Sequence, residues 1–401
     1  MLMGLLLLAI VIQPLARRIH LPFTATLVVA GFLASEAMVY AGIDTGLRAG
    51  IFHNLIFYVF LPVLVFESAF NIDARLLLNN LLVILVLAIP LMLLSAVLSA
   101  VMIYAGIGHP AGFPWIAALL TGALLSATDP VAIMALFRKL GVPDRLAVLM
   151  EGESLFNDAA AIVIFGAVLG MAMNPSSEVS ITATSLHFAR VFIGGMASGL
   201  LTGLVFRWLM LHYHEDIHRG LISIIGAYVS FIIAEAGLHV SGVMAVLVTG
   251  LMVGHAMRRD SRVQPESFVP RLWEFTAYVA NALVFLLMGV TVTLGMFEER
   301  WLAMLIGIAS VLIARAIGIF AFLPLLSRLT PVEPVPRSWQ LVMYWGGLRG
   351  AVTLALALAL PVSLDYWWTI QSIAFGVVLF TLFVQAPTSP ALIRHYSLNR
   401  N

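Results

Sequence analysis

Eight ionisable side chains stand in stretches that are otherwise almost wholly apolar: Glu67, Asp129, Glu151, Glu153, Asp158, Glu235, Arg315 and Arg349. A charge near the centre of a bilayer costs several kcal/mol, so each is a candidate for function. The densest group is Glu-Gly-Glu-Ser-Leu-Phe-Asn-Asp at 151–158, followed by an apolar run. At about 100° per residue on a helix, Ser154 and Asp158 share one face and Glu153 shares another with Asn157. Glu153 and Asp158 then lie about 140° apart. The two acids are expected to have different jobs. An acid that faces away from an aqueous site needs a fixed positive partner, and the sequence offers only Arg315 and Arg349 within apolar stretches. Glu153 therefore reads best as half of a salt bridge that orders the helices.

Two further clusters point to broken helices. In Thr128-Asp129-Pro130 the proline removes a backbone donor and disfavours helix at the residue before it, which frees carbonyls around Thr128. Trp-Gly-Gly-Leu-Arg-Gly at 345–350 is a matching disruption near the other end of the chain. Irregular backbone at membrane depth is tolerated only where it is buried in protein or lines a wet cavity. The bland alternative is that both are packing kinks.

The elements that must position these residues follow from composition. Of 401 residues 62% are hydrophobic and 10% charged, against roughly 25% charge in soluble proteins. The chain is expected to be an all-α polytopic membrane protein, a single transmembrane unit over 1–401 with no soluble domain. A net charge of +1 gives no reason to expect a nucleic-acid partner, and the absence of Cys excludes disulfides, Fe–S clusters, Cys-based zinc sites and thiol catalysis. Apolar runs between polar or Pro/Gly breaks predict thirteen spans, near 2–16, 22–39, 51–70, 76–106, 114–137, 146–173, 187–210, 219–236, 240–257, 271–294, 301–326, 338–361 and 367–392. The first lacks a basic start and a small-residue cleavage site, so it counts as a span and not a signal peptide. Broken spans five and twelve differ by seven, an odd offset that gives the second copy inverted topology. Two inverted repeats whose broken helices cross at the midplane are the pattern of a secondary transporter.

Charge asymmetry sets the orientation. Of the 21 Lys and Arg residues, sixteen fall in one set of alternate connections together with the C-terminal tail: Arg17, Arg18, Arg75, Arg138, Lys139, Arg145, Arg207, Arg219, Arg258, Arg259, Arg262, Arg271, Arg328, Arg337, Arg394 and Arg400. The opposite set holds Arg48, Arg190 and Arg300. The positive-inside rule puts the C-terminus in the cytoplasm and the N-terminus outside, with Tyr366-Trp367-Trp368 at the outer interface. Other features read more plainly. Gly195, Gly199 and Gly203 form a small-residue face for helix packing. His212, His214 and His218 could be imagined as a metal site, but beside Glu215 and Asp216 they read better as a solvated loop. Glu67 could line a cytoplasmic funnel or snorkel at a helix end.

Taken together, the sequence resembles the monovalent cation/proton antiporter family, in its electroneutral Asn-Asp branch of NhaP-type sodium/proton antiporters and animal sodium/proton exchangers. The resemblance covers essentially the whole chain. It rests on Leu61-Pro62 through Glu67-Ser68-Ala69-Phe70-Asn71, Thr128-Asp129-Pro130-Val131-Ala132, Glu151-Gly152-Glu153-Ser154-Leu155-Phe156-Asn157-Asp158-Ala159, Ala314-Arg315-Ala316-Ile317-Gly318 and Gly346-Gly347-Leu348-Arg349-Gly350-Ala351. It implies a core ion-binding domain that includes 76–173 and 301–392, a dimerisation domain drawn in part from 1–70 and 187–294, and a homodimer. Asp158 matches the ion- and proton-binding aspartate and Asn157 its neutral partner. Asp129 and Thr128 match broken-helix ion-site positions, and Ser154 a hydroxyl ligand. Glu153 matches the acid that pairs with the arginine at Arg315, and Arg349 the arginine of the second broken helix, a supporting position without an assigned role. Relatives often carry a cytoplasmic tail. Here the chain stops at Asn401, so either regulation by such a tail is absent or this is a shortened chain.

The implied activity is exchange of Na⁺ or Li⁺ against H⁺ in a prokaryotic plasma membrane, with no cofactor and no enzymatic chemistry. The cation would be held at Asp158, Asp129, Ser154 and Thr128. Potassium/proton exchange is the alternative within the family. An intramembrane aspartyl protease using Asp129 and Asp158 would need a Gly-x-Gly-Asp or Tyr-Asp context that neither aspartate has. A cation channel would need a pore-loop filter that the sequence does not offer.

Overall fold

The computed structural model describes residues 2–19, 22–42, 54–107, 113–173, 181–259, 267–325 and 333–396. The expected basic residues Arg48, Arg262, Arg328 and Arg400 lie outside them, as does the start of the third expected span. Every regular element among the described residues is helical. In chain order these are α1 (Leu2–Ile19), α2 (Phe23–Tyr40), α3 (Leu55–Asn71), α4 (Ala74–Asn79), α5 (Leu81–Ile107), α6 (Trp115–Leu124), α7 (Val131–Leu140), α8 (Asp144–Met173) and α9 (Ile181–His212). They continue as α10 (Asp216–Gly237), α11 (Gly242–Arg259), α12 (Phe268–Thr291), α13 (Leu294–Leu325), α14 (Arg337–Trp345), α15 (Ala351–Leu358) and α16 (Trp367–His395). Seven described helices, α5, α8, α9, α10, α12, α13 and α16, are long and apolar enough to cross a membrane.

The helices follow the hydropathy pattern, with three differences. The fourth expected span is split: Asp73 caps α4 by accepting the N–H groups of Arg75 and Leu76 at 2.8 and 3.0 Å, and Asn80 ends it by donating its side-chain amide to the Leu76 carbonyl at 2.9 Å. Such local side-chain bonds compete with the helical ladder. The eleventh expected span begins earlier, at Leu294, and bends at Arg300, whose backbone leaves the helical region (φ −126°, ψ 15°). Five π-helical segments, Leu55–Phe60, Leu87–Leu91, Ile233–Gly237, Gly318–Phe322 and Thr381–Gln385, interrupt the α-helices. Four have a local cause: Pro90 lies inside the second, and Pro62, Pro324 and Pro387 follow the first, fourth and fifth by two residues, each unable to donate a backbone hydrogen bond to the preceding turn.

Two compact units divide the chain. One comprises Met1–His53, Leu82–Pro175 and Ala282–Asn401; the other comprises Asn54–Leu81 and Ser176–Asn281. In the first, α2 and α12 cross closely at Gly31 and Gly289, where an added Cβ would run into the backbone of Leu286 and Val28 respectively. In the second, Gly195 and Gly199 on α9 lie against the backbone of Ser241 and Ala245, and Gly203 against Met252, so the glycine stripe packs on α11 as a small-residue face does in membranes. Trp273 stacks on Phe66 with ring centroids 4.2 Å apart and donates Nε1–H to the Ser223 hydroxyl at 2.9 Å. Arg258 donates to the carbonyls of Phe70 and Ile72, both at 2.5 Å, which closes the C-terminal end of α3.

Candidate functional site

The expected break at Thr128-Asp129-Pro130 is real: α6 stops at Leu124, and helix resumes at Val131. The second break, between Trp345 and Ala351, meets it within the first unit. Asp129 donates its backbone N–H to the Leu348 carbonyl at 2.8 Å. Its carboxylate then accepts the Val131 N–H on Oδ1 at 3.0 Å and the Ala351 N–H on Oδ2 at 3.1 Å. A helix start leaves its first N–H groups without partners and concentrates the positive end of the dipole there. One carboxylate therefore caps two half-helices, α7 and α15. The approach requires glycine at 350, since a Cβ there would overlap the Asp129 carboxylate.

Helix α8 supports the first break from the side. Asn157 donates Nδ2–H to the Thr128 hydroxyl at 2.6 Å and accepts the Thr128 N–H at 3.3 Å. The Ser154 hydroxyl donates to the Thr128 carbonyl in a short bond. The carbonyl freed by the break thus has a donor, and all three residues are buried. Such pairing is what backbone irregularity inside a helical bundle requires.

One turn away, Glu153 meets Arg315 of α13. Nη1 donates to Oε1 at 2.8 Å and Nη2 to Oε2 at 3.3 Å, a fork-to-fork pair with residue exposures of 3% for Glu153 and 8% for Arg315. The same guanidinium donates from Nε and Nη2 to the Met343 carbonyl at 3.1 and 2.8 Å. Met343 lies in the last turn of α14, so the cation also meets a carbonyl at the negative end of that half-helix. Gly347 makes room, because a Cβ there would strike the Arg315 side chain.

Asp158, one turn beyond Ser154, has no hydrogen-bond partner on its buried Oδ1 among the described residues. The charges that act on it are Asp129 and Arg349. Arg349 sits in the second break, where Thr381 of α16 accepts its N–H at 3.3 Å and bonds its carbonyl at 3.1 Å. Thr128, Asp129, Glu153, Ser154, Asn157, Asp158, Arg315 and Arg349 therefore belong to one unit. Glu67 belongs to the other, where it accepts the Asn71 side-chain amide at 2.6 Å. Glu235, also in that unit, accepts the Gly242 N–H at 2.9 Å and caps α11. His218 contacts Glu215 at 3.1 Å, and no group of metal-ligating side chains occurs among the described residues.

The first unit thus gathers hard oxygen atoms, two carboxylates, two hydroxyls and a freed carbonyl, around a helix crossing. Such donors suit a monovalent or divalent hard cation. The sequence marks Gly347 and Gly350 as part of the second break but not the contacts they admit, and it does not mark Thr381 or the Met343 and Leu348 carbonyls. The glycines carried a signal, since Gly-Gly-x-x-Gly inside an apolar run marks close backbone approach. Thr381 carried none: a threonine bonding its own i−3 carbonyl, here Val378 at 2.8 Å, is ordinary in membrane helices.

Comparison with known proteins agrees with this architecture. Residues 4–395 match the family described as sodium/hydrogen exchanger, transmembrane. The chain is 37% identical over 380 residues to the Na(+)/H(+) antiporter ApNhaP of Aphanothece halophytica, covering 94% of this chain and 70% of that one. It is 34% identical over 394 residues to the low-affinity Na(+)/H(+) antiporter NhaS1 of Synechocystis, covering 96% and 71%. The solved structure of the sodium proton antiporter MjNhaP1 from Methanocaldococcus jannaschii at pH 8 superposes with a TM-score of 0.79, covering 98% of this chain and 96% of that one; at 20% identity it establishes the shared fold. The chain belongs to the sodium/hydrogen exchanger family of membrane transporters.

Proposed function

We propose that the chain is a secondary active antiporter that exchanges Na⁺, or Li⁺, for H⁺ by alternating access, one for one and without net charge movement. The observation that carries the reading is the buried, unbonded Oδ1 of Asp158 beside a crossing of half-helices at which Thr128, Asp129, Ser154 and Asn157 are hydrogen-bonded. Asp158 binds either a proton or the cation, with the Ser154 hydroxyl, the Thr128 carbonyl and Asp129 as further oxygen ligands. Competition for one carboxylate couples the two fluxes: loaded with either ion it is neutral and can pass through a low-dielectric barrier, and empty it cannot. Asn157 is an amide already committed to Thr128, and Glu153 is committed to Arg315. With Asp129 kept in one protonation state through the cycle as the acceptor of two helix N–H groups, one carrier group remains to exchange one ion for one proton.

The relatives named as Na(+)/H(+) antiporters support the choice of ions. The alternation of basic connections supports thirteen spans with the N-terminus outside and the C-terminus in the cytoplasm, the odd offset of the two broken spans supports inverted repeats, and the relatives in Aphanothece halophytica and Synechocystis support a prokaryotic plasma membrane. A homodimer follows from the family resemblance. The test is cation-dependent proton flux in proteoliposomes of the purified chain with Na⁺, Li⁺ and K⁺ in turn. Flux with Na⁺ and Li⁺ supports the reading; flux with K⁺ alone would assign potassium/proton exchange instead, and absence of flux with all three would remove the antiport reading.

A further inference from the structure

Arg349 is a buried cation that the exchange scheme above does not use. It is 3% exposed, and Thr381 fixes its backbone. Its side chain is not fixed in the same way: Nε and Nη1 are buried and have no hydrogen-bond partner among the described residues. Arg315, by contrast, has its guanidinium engaged by Glu153 and Met343. The charged groups that act on Arg349 are Arg315, Glu153 and Asp158, and those that act on Asp158 are Asp129 and Arg349. A guanidinium with unused donors and a carboxylate with an unused acceptor thus lie within electrostatic reach of each other, beside a second pair that is already closed.

Formal charge decides what such a cluster can hold. Glu153 and Arg315 cancel. Asp129 and Asp158 contribute two negative charges, and Arg349, whose guanidinium keeps its proton in proteins, contributes one positive. The empty cluster carries one net negative charge, which a single Na⁺ or H⁺ neutralises. Without Arg349 it would carry two, and neutrality in a low-dielectric site would demand two monovalent cations.

We infer that Arg349 is the fixed counter-charge that limits the site to one monovalent cation, cancelling one of the two carboxylates so that the singly loaded site is neutral. This rests on the exchange reading given above and assigns to Arg349 a positioning and stoichiometric role, not that of a ligand. The count of one then has two sources: the amide at Asn157, which removes a second carrier, and the guanidinium at Arg349, which offsets one of the two carboxylate charges.

The test counts Na⁺ bound to the purified full chain in detergent, with radioactive Na⁺ at saturating concentration and alkaline pH so that protons do not occupy the site. Arg349→Lys keeps the charge and should bind one ion per chain, as the wild type does. Arg349→Gln leaves two negative charges uncompensated and should bind two, a twofold rise in stoichiometry. Arg349→Gln protein that still saturates at one ion per chain overturns the inference. If that variant does not assemble, radioactive Na⁺ binding to the wild-type chain in detergent decides: one ion per chain agrees, and two overturn it. A wild-type chain without any cation-dependent proton flux fails the exchange reading instead, and the binding stoichiometry still reports the charge count.

Discussion

The Asp129 carboxylate and the Ala351 N–H, 222 residues apart in sequence, form a 3.1 Å hydrogen bond that ties the second broken helix to the first. The same carboxylate caps its own half-helix through Val131. A single N-cap contributes about 0.5–2 kcal/mol, so Asp129→Ala, which uncaps two helices, should lower stability by about 1–4 kcal/mol. Asp129→Asn should cost less, since its amide oxygen can still accept one of the two bonds. Gly350→Ala should act at the same place from the opposite side by displacing the carboxylate, with an overpacking cost of about 1–3 kcal/mol. Thermal unfolding in detergent measures all three; an Asp129→Ala protein as stable as the wild type would show that the double cap contributes nothing.

The Glu153–Arg315 pair is buried and bidentate, so removing one partner strands a charge. Arg315→Ala should destabilise by about 3–5 kcal/mol and additionally leave the Met343 carbonyl without its donors. Glu153→Gln should be milder, because the amide keeps an acceptor for the guanidinium. Both losses are expected in melting temperature before any change in Na⁺ affinity. An Arg315→Ala variant with wild-type melting and exchange would contradict a structural role for the pair.

Asp158→Asn changes the carboxylate to an amide of nearly the same volume, so the protein should fold and melt normally but carry out no exchange. In the wild type, competition at this one group predicts that the apparent KM for Na⁺ rises about tenfold for each unit that pH falls on the acidic limb, where one proton must leave for each ion bound. Stopped-flow proton uptake over a matrix of pH and Na⁺ concentration checks both. A pH-independent KM on that limb would mean separate sites for the two ions, and Na⁺-driven flux in Asp158→Asn would remove Asp158 from the mechanism.

Asp73 caps α4 in a connection between helices. The Leu76 N–H, then that of Arg75, with the Arg258 and Arg75 charges, hold its carboxyl below the usual carboxylate value against a smaller opposing effect of burial. A folded-state value below the unfolded one, about 3.9, means that the contribution is complete above the unfolded value and is lost as pH falls through the folded one. The wild type should therefore lose melting temperature on acidification below about pH 4 slightly more steeply than Asp73→Asn. The effect is small because the group is largely solvated. Parallel melting curves of the two proteins across that range would show that the cap does not report on pH.

The features readable in the sequence are those with local causes or few candidates. Pro130 and the glycines at 346, 347 and 350 announce broken helices because each forbids or weakens helix by itself. Glu153 has two candidate partners, Arg315 and Arg349, because cations are so rare in the apolar stretches. What could not be read depends on segments far apart meeting. That the Asp129 carboxylate would close a helix beginning at Ala351, or that Arg315 would bond the Met343 carbonyl, follows only from where the breaks cross. The remaining differences concern hydrogen-bond register: Pro387 marks the π turn at 381–385, but nothing in Ile233-Ala234-Glu235-Ala236-Gly237 distinguishes a π turn from an α turn in composition.

The π turn at 381–385 also sets a rule for what insertions and deletions α16 can accept. A π turn holds one residue more than the α-helical path requires, and in α16 it separates Thr381, which clasps Arg349, from Thr388, whose hydroxyl accepts Trp345 Nε1–H at 2.8 Å. Deleting any one residue from 382 to 385 would leave a more regular helix with better local bonding. It would also turn everything beyond by about 100° and carry Thr388 away from Trp345, the last residue of α14. In this helix local regularity and the aim of its side chains are opposed, and the extra residue is the offset that lets one helix grip both sides of the second break.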